Sequence, residues 1–144
     1  MTRDRPDRSP ASDLLRRHRP VFRAVTRTVV PEADSLGDLG WTDLESIVAD
    51  ALSPRPAALL RQLSLFLRVI DVLALLRHGR RFAGLDDRAR AALLRRLETS
   101  HTLLLRRGFW GLRTLALMGY YARAEAGREI GYRADARGWE ARSA

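Results

Sequence analysis

The 144-residue sequence predicts an all-α protein: a small bundle of about five helices followed by an extended C-terminal segment. Apolar residues recur every three or four positions, as Phe22, Val25 and Val29 do, which is the spacing of one helix face. No stretch combines sustained apolar–polar alternation with β-branched side chains, as strands do. With 46% apolar and 30% charged residues, the chain can bury a core of ordinary size in one domain.

Proline residues mark the first boundaries. Residues 1–11 are polar and contain proline, so we expect a disordered segment there and a helical domain after it. Ser12 or Asp13 can cap a short first turn. The next helix is predicted between Pro20 and Pro31, because proline suits the first turn of a helix and stops the helix elsewhere.

A short helix is predicted next, after a loop that contains two glycines. The residues Thr-Asp-Leu-Glu at 42–45 are typical of a capping box. In that motif the Thr42 hydroxyl and the Glu45 carboxylate satisfy amide groups of the first helical turn. The sequence Ser-Pro-Arg-Pro at 53–56 then ends the helix.

The third predicted helix is the longest and most apolar, and it runs from about Pro56 to His78, where Gly79 stops it. Its polar residues are spaced three, four and three apart and form one narrow stripe: Arg61, Ser64, Arg68 and Asp71. A helix that is apolar around the rest of its circumference must be surrounded. It is therefore either the central helix of the bundle, the simpler interpretation, or it turns part of its apolar face to another chain.

Two more helices complete the predicted domain of residues 12–121. Asp86 or Asp87 caps a fourth helix that ends near Thr99, and the fifth extends from about His101 to Tyr121. Three glycines lie inside the fifth helix: Gly108, Gly111 and Gly119. Each costs about 1 kcal/mol relative to alanine, so we expect a neighbouring backbone to approach closely there, or a bend at the first of them.

The residue inventory offers little for catalysis. The sequence has no Cys, which removes disulfides, thiolate zinc sites and thiol nucleophiles. The three histidines, His18, His78 and His101, are far apart, and neither a Gly-x-Ser-x-Gly motif nor a phosphate-binding loop occurs. Glu125 and Glu129 are one helical turn apart in the C-terminal segment, where a solvated pair is expected. We expect no metal, no cofactor and no catalytic residue in this chain.

The net charge of +9 raises the question of a nucleic-acid partner. All 26 basic residues are Arg and are spread along the chain, so we expect no nucleic acid. The Arg16–Arg17 pair lacks the following apolar region of an export signal. The most apolar run contains charged residues that cost about 2.5–3.5 kcal/mol each in a membrane-spanning helix. A cytoplasmic protein without a membrane span is predicted.

The segment 122–144 is unusual in its aromatic content. It is mostly small and polar, yet it carries Ile130, Tyr132 and Trp139 as isolated large side chains. A disordered tail rarely contains a Trp, because one side chain cannot offset the conformational entropy of ordering it, so two interpretations of these residues compete. The segment either folds back over its own bundle or anchors in the pockets of a partner. Both interpretations carry equal weight.

Several short segments occur in an order that is similar to a known family. They are Thr-Val-Val-Pro-Glu-Ala at 28–33, Gly-Arg-Arg-Phe at 79–82, Arg-Arg-Gly-Phe-Trp-Gly-Leu-Arg-Thr-Leu at 106–115, Met-Gly-Tyr-Tyr at 118–121, Glu-Ile-Gly-Tyr at 129–132 and Gly-Trp at 138–139. The chain resembles the gluconate 2-dehydrogenase subunit 3 family from about Phe22 to Trp139. Those proteins are small subunits of bacterial FAD-dependent sugar and alcohol dehydrogenases.

The resemblance implies a non-catalytic accessory subunit that binds and stabilises a larger FAD-dependent catalytic subunit of the glucose–methanol–choline type, with the FAD held by that partner. Many family members carry a twin-arginine signal, and this sequence departs from them there. The predicted partner contacts are Phe109, Trp110, Arg113, Tyr120, Tyr121, Ile130, Tyr132, Arg133 and Trp139. Two other functions are considered: a basic helical nucleic-acid-binding protein, and a helical protein whose apolar face closes a homo-oligomer.

Overall fold

The computed structural model describes residues 9–123, and within them it confirms the all-α prediction, with helices and no strand. The six helices are α1 (Pro10–Arg17), α2 (Arg19–Val29), α3 (Asp38–Leu52), α4 (Ala57–His78), α5 (Asp87–Glu98) and α6 (Leu103–Tyr121). Two short 3-10 segments, Pro31–Ser35 and Phe82–Gly84, join α2 to α3 and α4 to α5. The predicted extended segment 122–144 lies outside the described residues, apart from its first two positions.

The helical domain begins earlier than the sequence indicated. Helix α1 starts at Pro10, and the Ser9 hydroxyl oxygen accepts a hydrogen bond of 3.1 Å from the Ser12 amide. Ser9 is therefore the cap, in place of the predicted Ser12 or Asp13. Ala11 is fully buried, so positions 10 and 11 belong to the domain and not to a disordered segment. The rest of that prediction, residues 1–8, lies outside the part of the chain that the structure describes.

Helix α2 occupies the centre of the bundle. It packs against α1, α4, α5, α6 and both 3-10 segments. Its buried residues are Val21, Phe22, Ala24, Val25 and Thr26. The Thr26 hydroxyl donates a hydrogen bond of 2.8 Å to the Phe22 carbonyl oxygen, so the buried polar group is satisfied within the helix. The prediction that the long third helix is central is wrong, because α2 takes that place.

Helix α3 starts a full turn before the predicted capping box. Gly37 precedes its first residue, Asp38, and the Thr42 hydroxyl donates to the Asp38 carbonyl oxygen at 2.9 Å inside the helix. The capping-box prediction is wrong because Thr42 is an interior residue. The Glu45 carboxylate is also engaged elsewhere, in ion pairs with another helix.

Three arginines of α2 contact α3 and hold it in place. The Arg23 Nε donates to Glu45 Oε1 at 2.8 Å, and Arg19 lies 3.3 Å from the other carboxylate oxygen. The guanidinium carbons of Arg23 and Arg27 lie 5.1 and 5.0 Å from the centre of the buried Trp41 ring. Guanidinium groups at such distances from an indole face are attracted by its negative electrostatic potential. The polar side of α2 is therefore used to bind α3.

The predicted ends of the later helices are close to the observed ones. Gly79 follows α4 with φ of 68°, a left-handed conformation that glycine adopts without strain. The Asp86 carboxylate accepts a hydrogen bond of 2.7 Å from the Ala89 amide and caps α5. Helix α6 starts at Leu103, two residues after the predicted start, and extends unbroken to Tyr121.

Two of the three α6 glycines are sites of close packing. A Cβ atom added at Gly108 would lie 2.6 Å from the Phe66 ring, and one at Gly119 would lie 2.7 Å from a Val48 methyl carbon. At Gly111 no atom lies within 4 Å of such a Cβ. The expectation of a neighbouring backbone or of a bend at Gly108 is wrong, because the close neighbours at two glycines are side chains of α4 and α3 and the helix is unbroken.

Substituting the three glycines separates packing from helix propensity. We expect Gly108→Ala and Gly119→Ala to destabilise the fold by about 1–3 kcal/mol, because overpacking outweighs the gain in propensity. Gly111→Ala is the matched control and is expected to stabilise by up to about 1 kcal/mol. Thermal unfolding followed by circular dichroism measures all three. Equal stabilisation by the three alanines would contradict the packing of α6 against α3 and α4.

His18 joins three helices. It lies between α1 and α2, and its Nε2 is 2.7 Å from the hydroxyl oxygen of Ser64 on α4. Burial lowers the pKa of His18 below its ordinary value of 6.5, and the positive charges of Arg68 and Arg17 lower it further, against a smaller opposing effect of Asp71. The neutral imidazole is therefore the form that the fold accommodates.

Because the pKa of His18 is lowered in the folded chain, the free energy of unfolding is expected to decrease as the pH falls. As the pH drops below about 6.5, the unfolded chain protonates its histidine before the folded chain does, so the free energy of unfolding decreases until the pH passes the folded pKa. Urea unfolding at a series of pH values measures the slope. His18→Gln should flatten it, whereas His101→Gln, at an exposed position, serves as the control. If His18→Gln leaves the pH dependence of the free energy of unfolding unchanged, that dependence does not come from His18.

Candidate partner-binding surface

The described residues offer neither a metal site nor a membrane-spanning helix. Within residues 9–123, no three His, Asp or Glu side chains come together in an arrangement that could hold a metal ion. None of the helices in that range has both the length and the apolarity needed to cross a bilayer. His78 and His101 are exposed at the end of α4 and just before α6. The distinctive feature of the described residues is instead exposed apolar surface.

Exposed apolar side chains are concentrated on two helices. Among residues 9–123, nine of the ten large hydrophobic residues that are exposed lie on α4 or α6, and the tenth is Leu39 on α3. Single exposed apolar residues are normal on soluble proteins. Their concentration on two helices is what makes the surface a candidate binding site.

On α4 the exposed residues form a stripe that we call the α4 stripe: Leu65, Val72 and Leu76. Their exposed fractions are 63%, 51% and 79%. Spacings of seven and four residues bring them to one side of the helix. The opposite direction is filled by the buried Phe66, Leu67, Ile70 and Ala74. Helix α4 therefore has a second apolar side that the described part of the chain does not cover.

The polar side of α4 is partly turned inward. Ser64 is hydrogen-bonded to His18, and the Asp71 carboxylate accepts a hydrogen bond of 3.1 Å from the Phe82 amide. Two of the four residues of the predicted polar stripe thus have internal partners, while Arg61 and Arg68 are exposed. The usual order of an amphipathic helix, polar outside and apolar inside, is reversed here over part of its surface.

On α6 three exposed residues form what we call the α6 stripe: Leu103, Trp110 and Tyr121. They are seven and eleven residues apart, close to two and three helical turns, and each is about half exposed. Trp110 is 48% exposed, and the guanidinium carbon of Arg113 lies 5.3 Å from its ring centre. The predicted contacts Trp110, Arg113 and Tyr121 are thus accessible or partly accessible on one helix.

Phe109 is not a surface residue. It is 5% exposed and belongs to the core, with its ring edge-to-face against Trp110 at 5.9 Å between centres. Neighbouring helical residues point about 100° apart, so the outward position of Trp110 turns Phe109 inward. The prediction of Phe109 as a partner contact is therefore wrong.

The other predicted contacts divide into two groups. Tyr120 is partly buried against the core, and the Arg123 guanidinium lies 4.6 Å from its ring centre, so it is at most a marginal contact. The remaining four lie outside the described residues: Ile130, Tyr132, Arg133 and Trp139. Their role as contacts stays a prediction.

Sequence reasoning missed the α4 stripe as a set of contact residues. It noted that α4 is too apolar for one face, but assigned partner contacts only to aromatic and arginine residues further along the chain. The signal was present in the spacing of Leu65, Val72 and Leu76. The spacing does not show that Ser64 and Asp71 point inward, and their inward position decides which side of α4 faces out.

No protein-family model, no curated protein and no solved structure matches this chain. The resemblance to the gluconate 2-dehydrogenase subunit 3 family therefore rests on the short segments that carry it.

Proposed function

We propose that the chain is a non-catalytic accessory subunit that binds and stabilises the larger FAD-dependent catalytic subunit of a heteromeric sugar, glycoside or alcohol oxidoreductase. The observation that carries a binding role is the exposed apolar surface of the α4 and α6 stripes. The identity of the partner as a flavoenzyme comes from the sequence resemblance. FAD belongs to that partner, and no residue of this chain is assigned to it.

The energetic argument concerns six side chains. Fully burying one Leu, Val or comparable side chain contributes about 1.5–3 kcal/mol. The exposed fractions of the six side chains range from 45% to 79%, so covering them all supports an association of several kcal/mol before its entropic cost. Obligate interfaces resemble a protein core that is divided between two chains. A helix such as α4, which packs one apolar side into its own domain and exposes another, is expected on one side of such an interface.

Stabilisation of the catalytic subunit follows from mass action. A subunit that binds only the folded partner adds about 2.7 kcal/mol to its stability when present at about a hundred times the dissociation constant. The chain needs no reactive group for this role. Arg16 and Arg17 lie in the last turn of the folded helix α1, which favours a cytoplasmic complex over twin-arginine export.

Mutating the stripes tests this function in a co-expressed complex. The chain is affinity-tagged and produced together with the product of the adjacent reading frame, and the yield of yellow complex is measured from the flavin absorbance. We expect Leu65→Glu and Trp110→Ala each to lower complex recovery about tenfold or more, because each is a large exposed side chain of its stripe. Circular dichroism of the purified variants should show unchanged helicity.

Leu39→Glu is the matched control. Leu39 is as exposed as the stripe residues, but it lies on α3, near its N-terminus, where a carboxylate is tolerated. It should leave recovery unchanged. A failure to obtain any flavoprotein complex, together with a monomeric isolated chain, would contradict the proposal. A stable homo-oligomer that Leu65→Glu dissociates would instead favour self-assembly, which the same stripes could support.

A further inference from the structure

Four arginines lie beside the two stripes, and none of them forms an ion pair with another described residue. Arg61 and Arg68 lie one turn to either side of Leu65, and Arg106 and Arg107 lie one turn before Trp110. All four are exposed. Within residues 9–123 none of them has a carboxylate within ion-pair distance.

Within residues 9–123, the carboxylates that form ion pairs lie away from the stripes. The ion pairs of the described residues involve Arg16, Arg19, Arg23, Arg27 and Arg90. Helix α6 contains no acidic residue, and the one acidic residue of α4, Asp71, accepts a hydrogen bond from the Phe82 amide. Among the described residues, the arginines beside the stripes are thus cationic groups without an ion-pair partner.

The charge of the domain is segregated along the chain. Residues 31–53, which contain α3, have six acidic residues and no Arg. Residues 54–123, which contain α4, α5 and α6, have fourteen Arg and four acidic residues, a net charge of +10. Both apolar stripes therefore belong to the strongly cationic half of the domain.

We propose that the two stripes bind a protein surface that is apolar at its centre and rimmed by Asp and Glu side chains. This inference rests on the proposed function and specifies the chemistry of the partner face. An arginine beside a surface that becomes buried needs an anionic acceptor, and a carboxylate accepts its two parallel N–H bonds. Arg113 is already held against the Trp110 ring, so that cation and that aromatic group are presented together.

A nucleic acid fits only part of this surface. Phosphates can pair with the four arginines, but they would leave the Leu and Val side chains of the α4 stripe in water. An anionic bilayer takes up a broad, uninterrupted apolar helix face, about 100° wide or more, whereas the exposed apolar side of α4 is interrupted by the exposed Arg61 and Arg68. A protein surface with apolar pockets between acidic side chains can bind both the exposed apolar side chains of the stripes and the arginines beside them.

The probe is a fluorescein-labelled helical peptide of about 18 residues with Leu on one face and Glu on the other. A second peptide carries Lys in place of every Glu. Binding to the full chain is measured by fluorescence anisotropy at about 50 and about 200 mM NaCl, since charge pairing weakens over that range. A DNA duplex and phosphatidylserine vesicles are tested under the same conditions.

The variants exchange one Arg-Arg pair for Glu-Glu at two places. Arg106→Glu with Arg107→Glu changes the rim of the α6 stripe. It lies near the N-terminus of α6, where negative charge is favourable, so the variant should fold. Arg95→Glu with Arg96→Glu makes the same charge change on the exposed last turn of α5, which has no exposed large apolar side chain.

The inference predicts that the Glu peptide binds at least about tenfold more tightly than the Lys peptide, and that the affinity falls with salt. The variant at 106 and 107 should weaken binding about tenfold or more, and the variant at 95 and 96 less than about twofold. Equal loss in both variants, equal binding of the two peptides, or tighter and variant-sensitive binding of DNA or vesicles would overturn it.

The same variants separate this inference from the proposed function. If the flavoprotein complex forms and the variant at 106 and 107 leaves its recovery unchanged, the acidic rim is wrong and the accessory role stands. If the Glu peptide behaves as expected but no flavoprotein complex is recovered, the surface assignment stands and the flavoenzyme partner is wrong.

Discussion

The structure depends on which helix occupies the centre of the bundle. Helix α2 has eleven residues and α4 has 22, so at 1.5 Å per residue α4 is about twice as long as the element around which the others pack. A short central helix cannot cover a long neighbour, and the apolar residues of α4 cannot all reach one core. The exposed α4 stripe follows from this difference in length and from the composition of α4.

Two hydrogen bonds decide the side of α4 that is exposed. Ser64 pairs with His18 between α1 and α2, and Asp71 accepts from the Phe82 amide in the following 3-10 segment. They fix the rotation of the helix about its axis and thereby hold Val72 and its stripe outward. The polar groups that would ordinarily face water thus help to create the binding surface.

Local signals in the sequence predict much of the fold, and contacts between helices account for the errors. Gly79 and Asp86 mark real helix ends because their roles depend only on nearby backbone. The capping box failed because the Glu45 carboxylate binds arginines of another helix, and α2 was not recognised as central because its arginines look like a solvent-facing side. In the candidate site, Trp110 is exposed and stays a predicted contact, whereas its neighbour Phe109 is buried, because the rotation of α6 about its axis depends on packing that no local pattern gives.

Hydroxyl-radical footprinting of the free chain and of its flavoprotein complex measures the exposure of individual side chains, and so it tests whether the stripes are open until a partner covers them. The account predicts that Leu65, Leu76 and Trp110 are readily oxidised in the dilute free chain and protected in the complex, while the exposed Leu39 reacts equally in both. If Leu65, Leu76 and Trp110 are already protected in the free monomer, the chain covers its own apolar surface and the central claim is wrong.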